Sequence, residues 1–252
     1  MYKIPANTLF VGKNLVYVPE CHSTNTLAAE LSQKKGTSDG TVVITDSQTA
    51  GRGQRGNTWE SEAGKNLTLS VIFRPSFLEV RDQFSLTIVV SLAVRALLTE
   101  LLSDEVKIKW PNDILVHDRK ICGILIENSL SGDRIQHSIV GIGLNINQES
   151  LSIATATSMA LCAKKQFDPN EILTVLLEKL ESYYLQLRSG MGNRLLIEYL
   201  LNLYWMGEER VFRMKGEEVR GRIEGVDQAG RLILKVQKEI RLYDLKEIAF
   251  VK

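Results

Sequence analysis

The sequence predicts a mixed α/β (α+β) fold with a small all-β unit at its C-terminal end. Three observations predict it. β-Branched or alternating runs of strand length recur between residues 41 and 147. A long apolar stretch, 84–102, and three later stretches have helix-forming composition. After about residue 206 short apolar alternations are separated by Lys215-Gly216, Asp227-Gln228-Ala229-Gly230 and Gln237-Lys238-Glu239, the pattern of short strands joined by turns. A boundary near Gly207 divides the chain into residues 1–206 and 207–252.

Taken in order, Ser23-Thr24-Asn25 precedes Thr26-Leu27-Ala28-Ala29-Glu30-Leu31, so a helix starts there. A short side-chain oxygen at that point can accept from the orphan N–H groups of the first turn. Thr41-Val42-Val43-Ile44-Thr45 is a strand, and residues 66–73 alternate as the next one. The stretch 84–102 is interrupted by Ser85, Thr87, Ser91, Arg95, Thr99 and Glu100. It is too polar for a bilayer span and reads as a buried helix. Residues 106–110 and 113–117 are strands, and the second leads through the turn Asp118-Arg119 into a third at 120–127. That is a hairpin, although Asp-Arg is not the favoured turn pair. Residues 135–147 make a further strand with Gly141 and Gly143 inside it. Helices are expected at 156–165, 170–188 and 194–205, with Asp168-Pro169 opening the second and Ser189-Gly190 closing it.

Composition excludes several classes. With 252 residues, 44% hydrophobic and 24% charged, the chain can bury a core without disulfides or a structural metal. A net charge of +1 gives no global reason to bind nucleic acid or a membrane. Cys21, Cys122 and Cys162 are odd in number and far apart, so they read as reduced thiols. His22, His117 and His137 lack metal-ligand spacing. Residues 1–7 carry no apolar signal core, and a cytoplasmic location is expected.

Gly51-Arg52-Gly53-Gln54-Arg55-Gly56 fits the pattern G-x-G-x-x-G literally. A dinucleotide site requires a helix to open at those glycines. Here a polar loop, 57–65, follows and then a strand, so that reading fails. A kinase loop fails because no His-Arg-Asp or Asp-Phe-Gly segment follows. What remains is a loop whose glycines let the backbone approach a ligand and whose arginines suit phosphate or carboxylate. Lys109-Trp110-Pro111-Asn112-Asp113 supplies a cation and a carboxylate, although alone it reads as an ordinary turn. Lys120 opens an otherwise apolar strand, where a lysine facing a cleft neutralises oxyanions. Gly141, Gly143 and Asn145 share a spacing of two, so they are expected on one strand face as a flat shelf.

These segments occur in a recognisable order. Ser23-Thr24-Asn25, 48–53, Trp59, 109–113, 120–127 and 141–147 together resemble the biotin–protein ligases, also called biotin–acetyl-CoA-carboxylase ligases. The resemblance is strong over 21–147, and looser for the C-terminal unit, which is similar to the family's SH3-like domain. It implies a catalytic domain like the class II aminoacyl-tRNA synthetases, with a largely antiparallel sheet backed by helices. It also implies joining of biotin to a lysine of a biotin carboxyl carrier protein, with ATP and Mg²⁺, through biotinyl-5′-AMP.

The resemblance implies roles residue by residue. Ser23, Thr24, Asn25 and Gln48 would face the ureido ring. Arg52 and the Gly53 backbone would hold carboxylate and phosphate, with Gln54 in the same loop. Lys120 would be the central cation, catalytic together with Arg52. Gly123, Gly141 and Gly143 belong to the biotin-binding set, the last two leaving room for the tail. Trp59 would stack on adenine, and Arg55, Lys109 and Asn145 would join Trp59 and Arg52 in the nucleotide site. Asp113 would serve the metal or the incoming lysine. Many members have arginine where this chain has Gln54, so here the second loop cation is either dispensable or supplied by Arg55.

Some members carry an N-terminal DNA-binding domain. The residues before Ser23 are too few for three helices, so a single-function enzyme is expected, as monomer or homodimer, with no nucleic-acid or membrane partner. The rivals are a lipoate–protein ligase or octanoyltransferase, which lacks this loop-plus-Lys-Trp-Pro-Asn-Asp pairing, and a non-catalytic biotin or carrier binder.

Overall fold

The computed structural model describes residues 2–251, and the backbone but not the side chain of Arg55. Strands β1 (Leu15–Cys21), β2 (Thr41–Gln48), β3 (Leu67–Phe73), β4 (Val106–Lys109), β5 (Asp113–Val116), β6 (Arg119–Ser131) and β7 (Arg134–Leu144) form a seven-stranded sheet. Their order is β1-β2-β3-β7-β6-β5-β4. Only β1 and β2 pair in parallel; the remaining neighbours are antiparallel. This is the mixed α/β, largely antiparallel class expected.

The strand period of two sorts the side chains between two layers. Val42, Ile44, Leu67, Leu69, Val71, Phe73, Val140, Ile142 and Leu144 belong to the large core. That core is covered by α2 (Phe84–Leu101), α4 (Pro169–Arg188) and α5 (Gly192–Leu201). The alternate residues Val43, Ile72 and Ile139 face the other way and meet Ala28 of α1 (Thr24–Ser32). One helix therefore covers only part of that second face, and the part beyond its N-terminus is left for the cavity described below.

Helix α2 corrects part of the sequence reading. By length and composition the helical segment Val80–Leu101 suffices for a membrane span despite its polar residues. Its apolar side is buried among α4, α5 and the sheet, as the core reading expected. Residues 202–204, expected to be helical, do not extend α5; they pair with the free edge of β4, Ile108 N–H donating to Asn202 O and Tyr204 N–H to Ile108 O. The expected helix 156–165 is reduced to α3 (Met159–Ala163). Its first residues bridge Lys120 instead, at Ala156, with Thr157 N–H donating to Lys120 O. The hairpin turn is His117-Asp118, not Asp118-Arg119; both residues have positive φ, 48° and 62°, as a two-residue turn of this twist requires. Strand β1 went unrecognised in the sequence because Pro19 interrupts its short apolar run.

Residues 209–250 contribute β8 (Glu209–Met214), β9 (Glu217–Val226), β10 (Leu232–Val236), β11 (Glu239–Tyr243) and β12 (Ala249–Phe250). They form a five-stranded antiparallel sheet in the order β11-β10-β9-β8-β12. It is fastened to the first sheet by Trp110, whose indole N–H donates to Gly230 O at 2.8 Å, by Tyr204, which stacks on Phe250, and by Trp205, whose ring is tilted against Phe250.

The N-terminal segment is anchored by one buried carboxylate. Glu181 on α4 is 4% exposed and accepts the backbone N–H groups of Leu9, Phe10 and Val11 at 2.6, 2.8 and 2.9 Å. Alanine there strands three donors, so Glu181→Ala lowers stability by about 2–4 kcal/mol in urea titration. A loss below about 1 kcal/mol would show that this anchor is not needed.

Candidate active site

The uncovered part of the sheet makes the floor of a cavity. In register, Thr68 of β3 lies beside Gly143 of β7, which lies beside Gly123 of β6. The next row on the same face is Ser70, Gly141 and Leu125, and the one after is Ile72, Ile139 and Glu127. Helix α1 covers the last row. The glycine rows admit what larger side chains would block. A Cβ on Gly141 would stand 2.3 Å from Asn25 Oδ1, and one on Gly143 would stand 2.3 Å from Trp59 Cε2. The shelf expected to leave space for a ligand tail is thus also the seat of Asn25 and Trp59.

At the N-terminus of α1, Ser23 is the N-cap residue but its side chain makes no capping bond. Thr24 N–H instead donates to Gln48 Oε1 at 2.8 Å, and Thr24 Oγ1 lies 3.2 Å from the same oxygen. With Oε1 so occupied, Gln48 offers its Nε2 hydrogens to the cavity it lines. Asn25 is 3% exposed. Its Oδ1 accepts from Ser70 Oγ at 2.6 Å, and its Nδ2 donates to Leu125 O at 3.3 Å and to Glu127 Oε2 at 2.8 Å. This polar cluster, set at the start of a helix and over two glycines, suits a neutral ring that both donates and accepts hydrogen bonds.

The glycine segment folds as a closed loop rather than the start of a long helix. Arg52 and Thr58 form an antiparallel bridge, Gly53 N–H donates to Asn57 O at 2.7 Å, and Trp59 N–H donates to Gly51 O at 3.0 Å. Arg52 reaches across the cavity, its Nη2 2.8 Å from Glu127 Oε2. Gly53 and Gln54 line the cavity, while the Arg55 side chain lies outside the described residues.

Lys120 lies toward the β5 side of the cavity. Its backbone is fixed on both sides, Lys120 N–H donating to Thr155 O and Thr157 N–H to Lys120 O, each at 2.8 Å. Its Nζ is 2.6 Å from Asp113 Oδ1, an ion pair rather than a directed hydrogen bond, and 5.7 Å from the Trp59 ring centroid. The arrangement places Arg52 on the loop and Lys120 on β6 as cations at two points around the cavity, with Lys246 of the C-terminal unit also on its wall. Cys122, two residues along, is buried, and burial pushes its thiol far above the ordinary range, so it stays protonated and is no nucleophile.

Thirteen residues expected at the site line this cavity: Ser23, Thr24, Asn25, Gln48, Arg52, Gly53, Gln54, Trp59, Asp113, Lys120, Gly123, Gly141 and Gly143. Two expected residues do not. Lys109 Nζ sits 5.2 Å from the Phe250 ring centroid, drawn toward the C-terminal sheet. Asn145 lies beyond the end of β7 at Leu144, so the strand alternation no longer applies to it. Its N–H donates to Ile121 O and its Nδ2 to Thr157 O.

Sequence reading missed Ser70 and Thr68, although polar residues two apart within an apolar strand were a signal. It also missed Asn112, whose Nδ2 donates to Ile124 O, and Leu245 and Lys246, which bring the C-terminal unit to the cavity wall. No local pattern marks those last two.

A Mg²⁺ ion accompanying a nucleotide prefers hard oxygens and keeps water and phosphate ligands. Among the described residues no group of three His, Cys, Asp or Glu side chains forms a metal cage. The protein oxygen that fits such an ion is the Asp113 carboxylate, the acidic group that lines the cavity among the described residues; Asn145 Oδ1 is buried without a hydrogen-bond partner but does not line the cavity.

The family model of the Biotin/lipoate A/B protein ligase family matches residues 17–145. The biotin–[acetyl-CoA-carboxylase] ligase of Mycobacterium tuberculosis is 31% identical, covering 89% of this chain and 84% of that protein. The bifunctional ligase/repressor BirA of Bacillus spizizenii is 31% identical, covering 93% of this chain and 73% of that protein. Among solved structures, the biotin protein ligase of Aquifex aeolicus in complex with biotin and ATP superposes with a TM-score of 0.78. It is 26% identical and covers 95% of this chain and 99% of that one. The chain belongs to the Biotin/lipoate A/B protein ligase family.

Proposed function

We propose that this chain attaches biotin to a specific lysine of a biotin carboxyl carrier protein, using ATP and passing through biotinyl-5′-AMP. The observation that carries the reading is one cavity holding both a polar ring-reading cluster, Thr24, Asn25 and Gln48, and two cations, Arg52 and Lys120. A fatty-acyl or lipoyl substrate has no ring N–H and carbonyl for that cluster to read. The relatives named as biotin ligases support the same choice.

In the first step a biotin carboxylate oxygen attacks the α-phosphorus of ATP. The bond to the β-phosphate oxygen breaks and pyrophosphate leaves with its electrons. An anion attacking a polyanion needs charge neutralisation and alignment more than acid–base catalysis. Lys120, on a rigid strand, supplies a fixed positive charge to the carboxylate and α-phosphate oxygens. Arg52 holds the same anionic region from the loop, with donors matched to carboxylate and phosphate. Asp113 is the residue suited to hold a Mg²⁺ ion, which would supply charge neutralisation for the leaving pyrophosphate.

In the second step the amine of the carrier lysine attacks the acyl carbon. The carbon–oxygen bond to AMP breaks, AMP leaves, and the amine loses a proton to give the amide. Asp113, paired with Lys120, lies where it can take or orient that amine. The loop and Trp59 wall off the acyl-adenylate from water. We take residues 207–252 as a small separate domain, supported by its own sheet, which adds Leu245 and Lys246 to the cavity wall.

The experiment is transfer to a carrier. A purified biotin carboxyl carrier domain incubated with this protein, ATP and Mg²⁺ gains the mass of one biotinyl group with biotin, and no acyl group with lipoate or octanoate. Acylation by lipoate or octanoate at rates equal to biotin would reverse the assignment.

A further inference from the structure

Glu127 is not a lining residue of the cavity, yet two lining side chains end on it. Asn25 Nδ2 and Arg52 Nη2 both donate to Glu127 Oε2 at 2.8 Å. A carboxylate accepts hydrogen bonds and donates none. It therefore dictates which end of the Asn25 amide turns toward it. Nδ2 must face Glu127, where Leu125 O takes its other hydrogen, and Oδ1 must face Ser70. Oδ1 has two lone pairs and Ser70 uses one. The second remains as an acceptor for an N–H group of a ligand in the cavity.

We propose that Glu127 is a specificity-determining positioning residue that holds Asn25 with its oxygen toward the ligand, so that the cavity selects a ring N–H. The proposal rests on the reading of the site as a biotin site. A glutamine at 127 presents either an oxygen or an NH₂ to Asn25, so only the longer bond to Leu125 O, 3.3 Å, still holds the amide one way round. The pair with Arg52 is a separate, weaker tie: the two side chains are 45% and 39% exposed, and such exposed pairs contribute little.

The two roles separate with two ligands, biotin and its alcohol analogue biotinol, which has the ring and no carboxylate for Arg52. Calorimetric titration of the full chain should show Glu127→Gln weakening both ligands by about ten-fold, the loss of one half-buried hydrogen bond of correct polarity. Glu127→Asp, which stays acceptor-only, should keep more of the affinity than Glu127→Gln. Unchanged biotinol affinity in Glu127→Gln would overturn the proposal, whether or not biotin weakens, because the residue would then act through Arg52 alone. Equal affinities for the Asp and Gln variants would also overturn it. The wild-type protein separates the two readings. If it releases no pyrophosphate in response to biotin and binds neither ligand, the biotin reading fails. If it does both and the variants bind like wild type, only the role of Glu127 fails.

Discussion

Replacing Lys120 with alanine is expected to slow biotin-dependent pyrophosphate release by about 100- to 1,000-fold, the loss typical of removing one fixed donor from a developing oxyanion. The effect should fall mainly on kcat, since the ammonium matters most where charge accumulates. The fold should survive, because the Lys120 side chain is 35% exposed and its backbone bonds to Thr155 and Thr157 do not need it. Its neighbour Asp113 would then face the substrate phosphates without its cation, which adds to the loss. A Lys120→Ala enzyme with wild-type kcat would remove Lys120 from the mechanism.

Gly141→Ala is expected to act on biotin instead. The new methyl would lie 2.3 Å from Oδ1 and 3.0 Å from Cγ of Asn25, which is buried and held by Ser70, Leu125 and Glu127. Asn25 must leave its seat, and the ligand loses an oriented partner. The KM for biotin should rise by about 30- to 100-fold, the penalty for leaving polar groups unmatched in a buried site. KM for ATP should move much less. Initial rates of pyrophosphate release at varied biotin measure this, and an unchanged KM would show that Asn25 does not read the ligand.

The fold was legible where periodicity was strong. The alternation in 66–73 and the apolar stretch 84–102 gave β3 and α2 within two residues. It failed where tertiary pairing overrode local composition. Residues 202–204 look helical but complete the free edge of β4, and Thr155-Ala156-Thr157 bridges Lys120, which offers it a backbone partner. Neither partner is near in sequence. The site was legible as a set of residues, because most of its members cluster in short ordered motifs. Their relations were not. Nothing in the motif Gly141-Ile142-Gly143 says that its face is filled by Asn25 and Trp59, since that follows from the register of β3, β7 and β6. Asn145 illustrates the converse: spacing placed it on the glycine face, but β7 stops at Leu144 and the Asn145 amide is taken up by Thr157 O.

The central claim is that this cavity makes an acyl-adenylate from biotin. The direct measurement is pyrophosphate release by the purified chain with ATP and Mg²⁺, comparing biotin, lipoate and no acid. Release that depends on biotin, and is at least about ten-fold slower with lipoate, is the predicted result, since the polar cluster reads a ring that lipoate lacks. Folded protein that releases no pyrophosphate with biotin, or responds only to lipoate, would contradict it.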